Sequence, residues 1–172
     1  MRKTGIIIVL ILSMLCSACT GVSKQPEDEK VPSDFYFRLT WGCYGNSSYD
    51  SATGKLVKTK DATNPEDYVT SYFLTEEEKE EIYELIQKLD VDKYPECYNP
   101  HDNLMSSPTM TLILVVCENG EEKMIAAKDI ALSFDADNLK GQNFLDTCKR
   151  VRDILLETKE WKALPEYEFL YD

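Results

Sequence analysis

The stretch Thr109-Met110-Thr111-Leu112-Ile113-Leu114-Val115-Val116-Cys117-Glu118-Asn119-Gly120-Glu121-Glu122-Lys123-Met124-Ile125-Ala126-Ala127 decides the fold class. Two β-prone runs, Thr109–Cys117 and Glu122–Ala127, flank Glu118-Asn119-Gly120-Glu121, and Asn-Gly tolerates the positive φ that a tight hairpin turn needs. A two-residue loop aligns Val116 with Lys123, Leu114 with Ile125 and Leu112 with Ala127. It also sets Glu118 against Glu121, a mildly unfavourable like-charge pair. Met110, Leu112, Leu114 and Val116 fall on one face, Thr111, Ile113, Val115 and Cys117 on the other. Both faces are largely apolar, so this strand is expected to lie inside a sheet with each face at least partly covered.

Working upstream, Thr75-Glu76-Glu77-Glu78 reads as a capping box, with Ile82, Leu85, Ile86 and Leu89 following at helical spacing. Three carboxylates in that first turn suit the positive end of the helix dipole. Phe35–Trp41 alternates as a half-buried strand. Ser47–Asp50 and Lys55–Lys58 flank Ser51-Ala52-Thr53-Gly54 as a hairpin, and Tyr68–Leu74 is a further β-prone run. Asp90–Pro108, with three prolines, reads as loop.

Downstream, Phe144, Cys148, Val151 and Leu155 define the buried stripe of a helix over Asn138–Lys159, with one of Asp135–Asn138 as its cap. Trp161, Leu164 and Pro165 read as a packed C-terminal wrap. Strands, helix, hairpin and helix, without β-α-β alternation, predict an α+β fold: a mainly antiparallel sheet with two helices on one face.

Composition removes whole classes of function. The formal charge is −12, from 19 Lys+Arg against 31 Asp+Glu, and a surface that acidic repels nucleic acid and anionic lipid. With 7 glycines and no Gly-rich turn between strand and helix, a nucleotide cradle is not expected. His101 is the only histidine and lies in a proline-rich loop, and there is no Gly-x-Ser-x-Gly elbow, so no nucleophile–base set is legible. A surface or hydrogen-bonded role is the plainer reading of that histidine.

Metal ligation has equally little support. Cys43, Cys97, Cys117 and Cys148 are widely spaced, without a Cys-x-x-Cys. Asp135-Ala136-Asp137-Asn138 begins like a calcium loop but puts Leu139 where an oxygen ligand belongs and Gly141 one place late. Neither a metal nor another cofactor is implied. Cys117 and Cys148 read as small core residues, whereas Cys43 and Cys97 sit in expected loops where export would allow a disulfide.

The N-terminus carries an address. Arg2 and Lys3 precede the apolar run Gly5–Leu15, which is too short to span a bilayer of about 30 Å as a helix. Leu15-Cys16-Ser17-Ala18-Cys19-Thr20-Gly21 resembles the lipobox of bacterial lipoproteins, with Cys16 where that class carries a large aliphatic residue. The resemblance implies that residues 1–18 are a signal peptide and that Cys19 becomes the first mature residue, its thiol bearing a diacylglyceryl group. The alternative readings are an ordinary cleaved signal and an uncleaved anchor. Removing 18 of 172 residues leaves 154, enough for one domain, and loss of Arg2 and Lys3 takes the charge from −12 to −14. Thr20–Ser33, with two prolines and no apolar period, reads as a spacer. As a flexible coil it spans roughly 20 Å, giving a lipidated linker over 19–33 and one domain over 34–172.

The element order, with Tyr49-Asp50-Ser51-x-x-Gly54 near its start, also resembles small lipoproteins of clostridial-type Gram-positive bacteria, a likeness that brings no active site with it. The implied location is the extracytoplasmic face of a bacterial membrane. The expected role is a binding or interaction module for an envelope protein or cell-wall ligand. Alternatives are a structural or inhibitory envelope protein, or an envelope hydrolase using acidic residues. Trp41, Tyr44, Tyr49, Tyr94 and Tyr98 gather in or beside expected loops with Asn46 and Asn99, a composition suited to peptide or glycan recognition. The competing reading is that these aromatics pack the edges and corners of the sheet.

Overall fold

The computed structural model describes residues 30–43, 47–59, 67–101, 110–131 and 133–166. The stretch read as an export signal, Cys19, the stretch read as a linker through Glu29, and Tyr44 lie outside the described residues. The elements are strands β1 (Tyr36–Cys43), β2 (Ser47–Asp50), β3 (Lys55–Thr59) and β4 (Asp67–Ser71), helix α1 (Glu76–Leu89), strands β5 (Cys97–Tyr98), β6 (Met110–Glu118) and β7 (Glu121–Ile130), and helices α2 (Leu139–Glu157) and α3 (Lys159–Lys162). The strands form a seven-stranded sheet in the order β4-β3-β2-β1-β6-β7-β5. Every pair is antiparallel except β5–β7. The fold is α+β.

The β6–β7 hairpin has the register that its turn dictates: Val116 opposite Lys123, Leu114 opposite Ile125, Leu112 opposite Ala127 and Glu118 opposite Glu121. Asn119 and Gly120 both take positive φ, 55° and 74°, the turn whose twist matches the flanking strands. Strand β6 lies between β1 and β7, with Val115 and Cys117 buried on one face and Leu112 and Leu114 on the other. A bulge between Met110 and Leu112 coincides with Asp129 at φ 57° and carries β7 on to Ile130.

In α1 the capping box is complete: Thr75 Oγ1 accepts from Glu78 N, and Glu78 Oε2 accepts from Thr75 N. Asn138 caps α2, its Oδ1 accepting from Gly141 N. Phe37, Leu39 and Trp41 from β1 join Leu112, Leu114 and Val116 from β6 in one hydrophobic cluster. The stripes of α1 (Ile82, Ile86, Leu89) and α2 (Phe144, Cys148, Val151, Leu155) belong to the same cluster. Outside it, Arg150 Nε and Nη2 both donate to Glu81 Oε1, at 2.9 and 2.6 Å, tying the helices together at the surface.

Four expectations are corrected. Cys97–Tyr98, read as loop, pairs in parallel with Ala126 and Ala127; two residues carry no periodicity, so long-range pairing alone defines this strand. Gly42 and Cys43 continue β1 instead of ending it. The second helix stops at Glu157, where Thr158 turns extended and caps α3. Val31, inside the stretch read as linker, is 4% exposed, and Lys30 Nζ donates to Glu80 Oε2 at 2.8 Å, so packing begins before Asp34.

The Cys43–Cys97 bridge is absent as well. Both thiols are free. Three strand spacings separate β1 from β5, about 14 Å, twice the reach of a disulfide.

Candidate functional site

The described aromatics of the set singled out in the sequence, Trp41, Tyr49, Tyr94 and Tyr98, do not share one surface. Tyr49 is buried on β2, its ring 5.7 Å from Phe37 and its hydroxyl donating to the Tyr72 carbonyl at 3.1 Å. Burial pushes its phenol well above the usual range. Tyr94 is buried too: its hydroxyl donates to the Lys140 carbonyl at 2.9 Å and its ring meets Tyr98 edge-on at 5.1 Å. Tyr98 meets Phe144 edge-on at 5.7 Å. Tyr49, Tyr94 and Trp41 are thus buried members of the core cluster, and Tyr98 packs half-buried against it. Alternation could not assign Tyr94 and Tyr98, because Tyr94 lies outside any strand and the strand of Tyr98 is two residues long.

Among the described residues of this set, Trp41 lines a cavity. Counting in twos along β1 puts its indole on the side of Phe37 and Leu39, at the strand's far end from the first described residues. Its cross-strand neighbour on β2 is Ser47. One step beyond the Ser48–Val57 pairing, the next strand offers Lys58 on the side of Leu56. Above this ladder stands Trp161 of α3, its ring centroid 5.6 Å from that of Trp41 and tilted by 42°. Thr158 fixes Trp161: its Oγ1 accepts from Trp161 N at 3.2 Å while donating to the Leu155 carbonyl at 2.7 Å. The result is a cleft of about 440 Å³ floored by Trp41, walled by Trp161 and Leu156, and edged by Lys58, Arg152 and Lys162.

The electrostatics run against the rest of the molecule. In a chain of charge −12, three of the cleft's described lining residues are cations. Lys58 Nζ lies 5.3 Å from the centre of the Trp161 ring, within cation–π range, and 3.7 Å from Glu166 Oε2. The lysine side chain is only 4% exposed, whereas the glutamate's is 92% exposed. A buried ammonium needs such compensation, since removing a charge from water without a partner costs several kcal/mol.

Arg152 is held on two sides, donating to Asp153 Oδ1 at 3.0 Å and lying 4.5 Å over the Phe134 ring. Phe134 adopts φ 59°, a strained conformation for a bulky residue, and its carbonyl accepts from Gln142 Nε2. Burial raises the pKa of Asp153, but hydrogen bonds from Lys149 and Arg152 outweigh it and hold the carboxyl below its ordinary value.

A larger cavity, about 560 Å³, opens at the start of α1 beside Phe35 and Phe73. Two of its polar side chains are committed within the fold: Ser51 Oγ accepts from Phe37 N, and Asp34 Oδ2 accepts from Gly120 N; Ser33, Glu76 and Lys79 line it as well. His101 is buried, with Nδ1 3.3 Å from Asp137 Oδ1 and Nε2 without a hydrogen-bond partner among the described residues. Among the described residues no three His, Cys, Asp or Glu side chains converge to hold a metal ion. No helix there is long and apolar enough to cross a membrane.

Sequence reasoning missed Lys58, Arg152, Trp161 and Lys162 as site residues. The one available signal was Lys58 on the buried side of a strand whose other members there are apolar. No protein-family model and no curated protein matches this chain.

Proposed function

We propose that this chain is a lipid-anchored, extracytoplasmic binding module whose ligand occupies the cleft between Trp41 and Trp161. The carrying observation is the convergence of two indoles and three cations on one concavity of an otherwise acidic protein. Aromatic platforms with a few placed charges suit recognition, because rings supply contact area at low entropic cost and charges set orientation. A tether through Cys19 is compatible with this geometry. The described chain comes in beside Phe35, and the cleft lies at the other end of β1, about 20 Å away along the strand. The site would then face outward from the membrane.

The test of binding uses the full-length protein in detergent, titrated by tryptophan fluorescence against neutral and acidic wall glycans and envelope-protein peptides. Saturable binding that Trp161→Ala abolishes is expected; a panel without a binder overturns the reading. The tether is tested separately, since Cys19→Ser should abolish metabolic labelling with an alkyne fatty acid. A second reading, a structural or inhibitory contact with another envelope protein, is supported by the edge strand β4. Val69 there is 56% exposed, and Phe73 just beyond it is exposed as well. Cross-linking of one stoichiometric partner through β4 would favour it.

A further inference from the structure

The chemistry of the cleft narrows the ligand, and the narrowing rests on the binding function proposed above. Lys58 is sunk beneath the indoles, and the Glu166 carboxylate reaches it from the outer side, 3.7 Å from Nζ, at the end of a side chain that is otherwise in solvent. Glu166 also lines the cavity itself. An exposed glutamate gains little from an ordinary surface pair, since holding a long side chain in place offsets most of the Coulomb energy. Here it gains more, because Lys58 and the Trp161 face are desolvated.

We infer that Glu166 stands where a ligand carboxylate goes, and that the cleft takes a carboxylate-bearing sugar. The acidic group displaces Glu166 from Lys58, and the pyranose ring lies against Trp161 over the Trp41 floor. Three features select this class. The cavity of about 440 Å³ matches a short saccharide, not a folded domain. The half-buried Trp161 indole, backed by the buried Trp41, offers a C–H-accepting face to a ring, which an extended acidic peptide would leave largely uncovered. The cationic group is small and set in a strongly acidic body, so one localised anionic charge is favoured and a polyanion is repelled. Arg152 and Lys162 also line the cleft, where their N–H groups can donate to further hydroxyl oxygens.

The experiment titrates the full-length protein in detergent with a disaccharide carrying a single uronate, glucuronyl-galactose, with its methyl ester, and with a short peptide of one net negative charge, reading tryptophan fluorescence. The acid should bind at least tenfold more tightly than the ester. Glu166→Gln, on an exposed side chain, should strengthen binding of the acid several-fold and leave the ester unchanged. Lys58→Met should erase the acid–ester difference, and Lys58→Arg, which keeps the charge should Met prevent folding, should retain most of it. Equal binding of acid and ester, both lost with Trp161→Ala, would overturn the carboxylate inference and leave the binding cleft standing. Tighter binding of the peptide would transfer the site to a protein ligand and overturn the sugar. Failure of all three probes, while another glycan or peptide from the wider panel binds, would overturn the inference alone. Failure of every probe would remove the binding function with it.

Discussion

Two aromatic clusters in this molecule are built from the same parts and do different things. In one, Tyr94, Tyr98 and Phe144 meet at centroid distances of 5.1–5.7 Å, with Lys140 Nζ 4.8 Å from the Tyr94 ring. In the other, Trp41 and Trp161 meet at 5.6 Å with Lys58 Nζ 5.3 Å from an indole. The tyrosine cluster closes on itself: Tyr94 donates to a backbone carbonyl, and Lys140 Nζ donates to the Lys93 carbonyl at 2.6 Å. The tryptophan cluster borders a cavity, and its lysine faces a solvent-borne carboxylate. Aromatic rings with a cation therefore do not mark a site. On the binding function proposed above, it is the concavity beside the tryptophans, with charge drawn from an exposed side chain, that separates the two clusters.

The largest effect that sharpens this contrast is on stability. Phe144→Ala should lower the unfolding free energy by about 3–5 kcal/mol, read from urea titration, because the side chain is fully buried beneath both tyrosines. Trp161→Ala, at a half-buried position, should cost clearly less; equal losses would erase the distinction between the clusters. Next in size is Thr158→Ala. It removes the cap that holds Trp161 N and should cost about 1 kcal/mol, with a red shift of tryptophan emission as the indole loosens. Lys140→Met should change stability by only about 0.5 kcal/mol, as an exposed cation–π contact does.

The smallest effect is the dependence of stability on pH at the cleft's rim. Asp153 has a folded pKa below its unfolded value, so its stabilisation is complete above about pH 4 and is lost as pH falls through the folded pKa. Asp153→Asn should flatten the acid limb of the stability curve in that range and leave its shape at neutral pH unchanged. A flattened limb at neutral pH instead would contradict the assignment.

How much of this was readable in advance follows the range of the interactions. The register of β6–β7 was legible because Asn119-Gly120 fixes the turn and period-2 alternation fixes every later pairing. The α1 cap was legible because its donors and acceptors lie three residues apart. The stripe Phe144, Cys148, Val151, Leu155 was legible because helical geometry is local. The site was not legible. Lys58, Arg152 and Trp161 come from separate elements, and nothing local to any of them announces the others.

By itself, then, the sequence determined the α+β class, the hairpin, the ends of α1 and the inward face of α2, since turn sterics, capping and periodicity act over a few residues. Only the tertiary structure decided which aromatics are core and which line a cleft. It also paired β5 in parallel with β7 and set Cys43 and Cys97 out of bonding reach. These depend on which strands become neighbours and on where α3 comes to rest over the sheet. That choice is made by burial summed over the whole chain, which no short window contains.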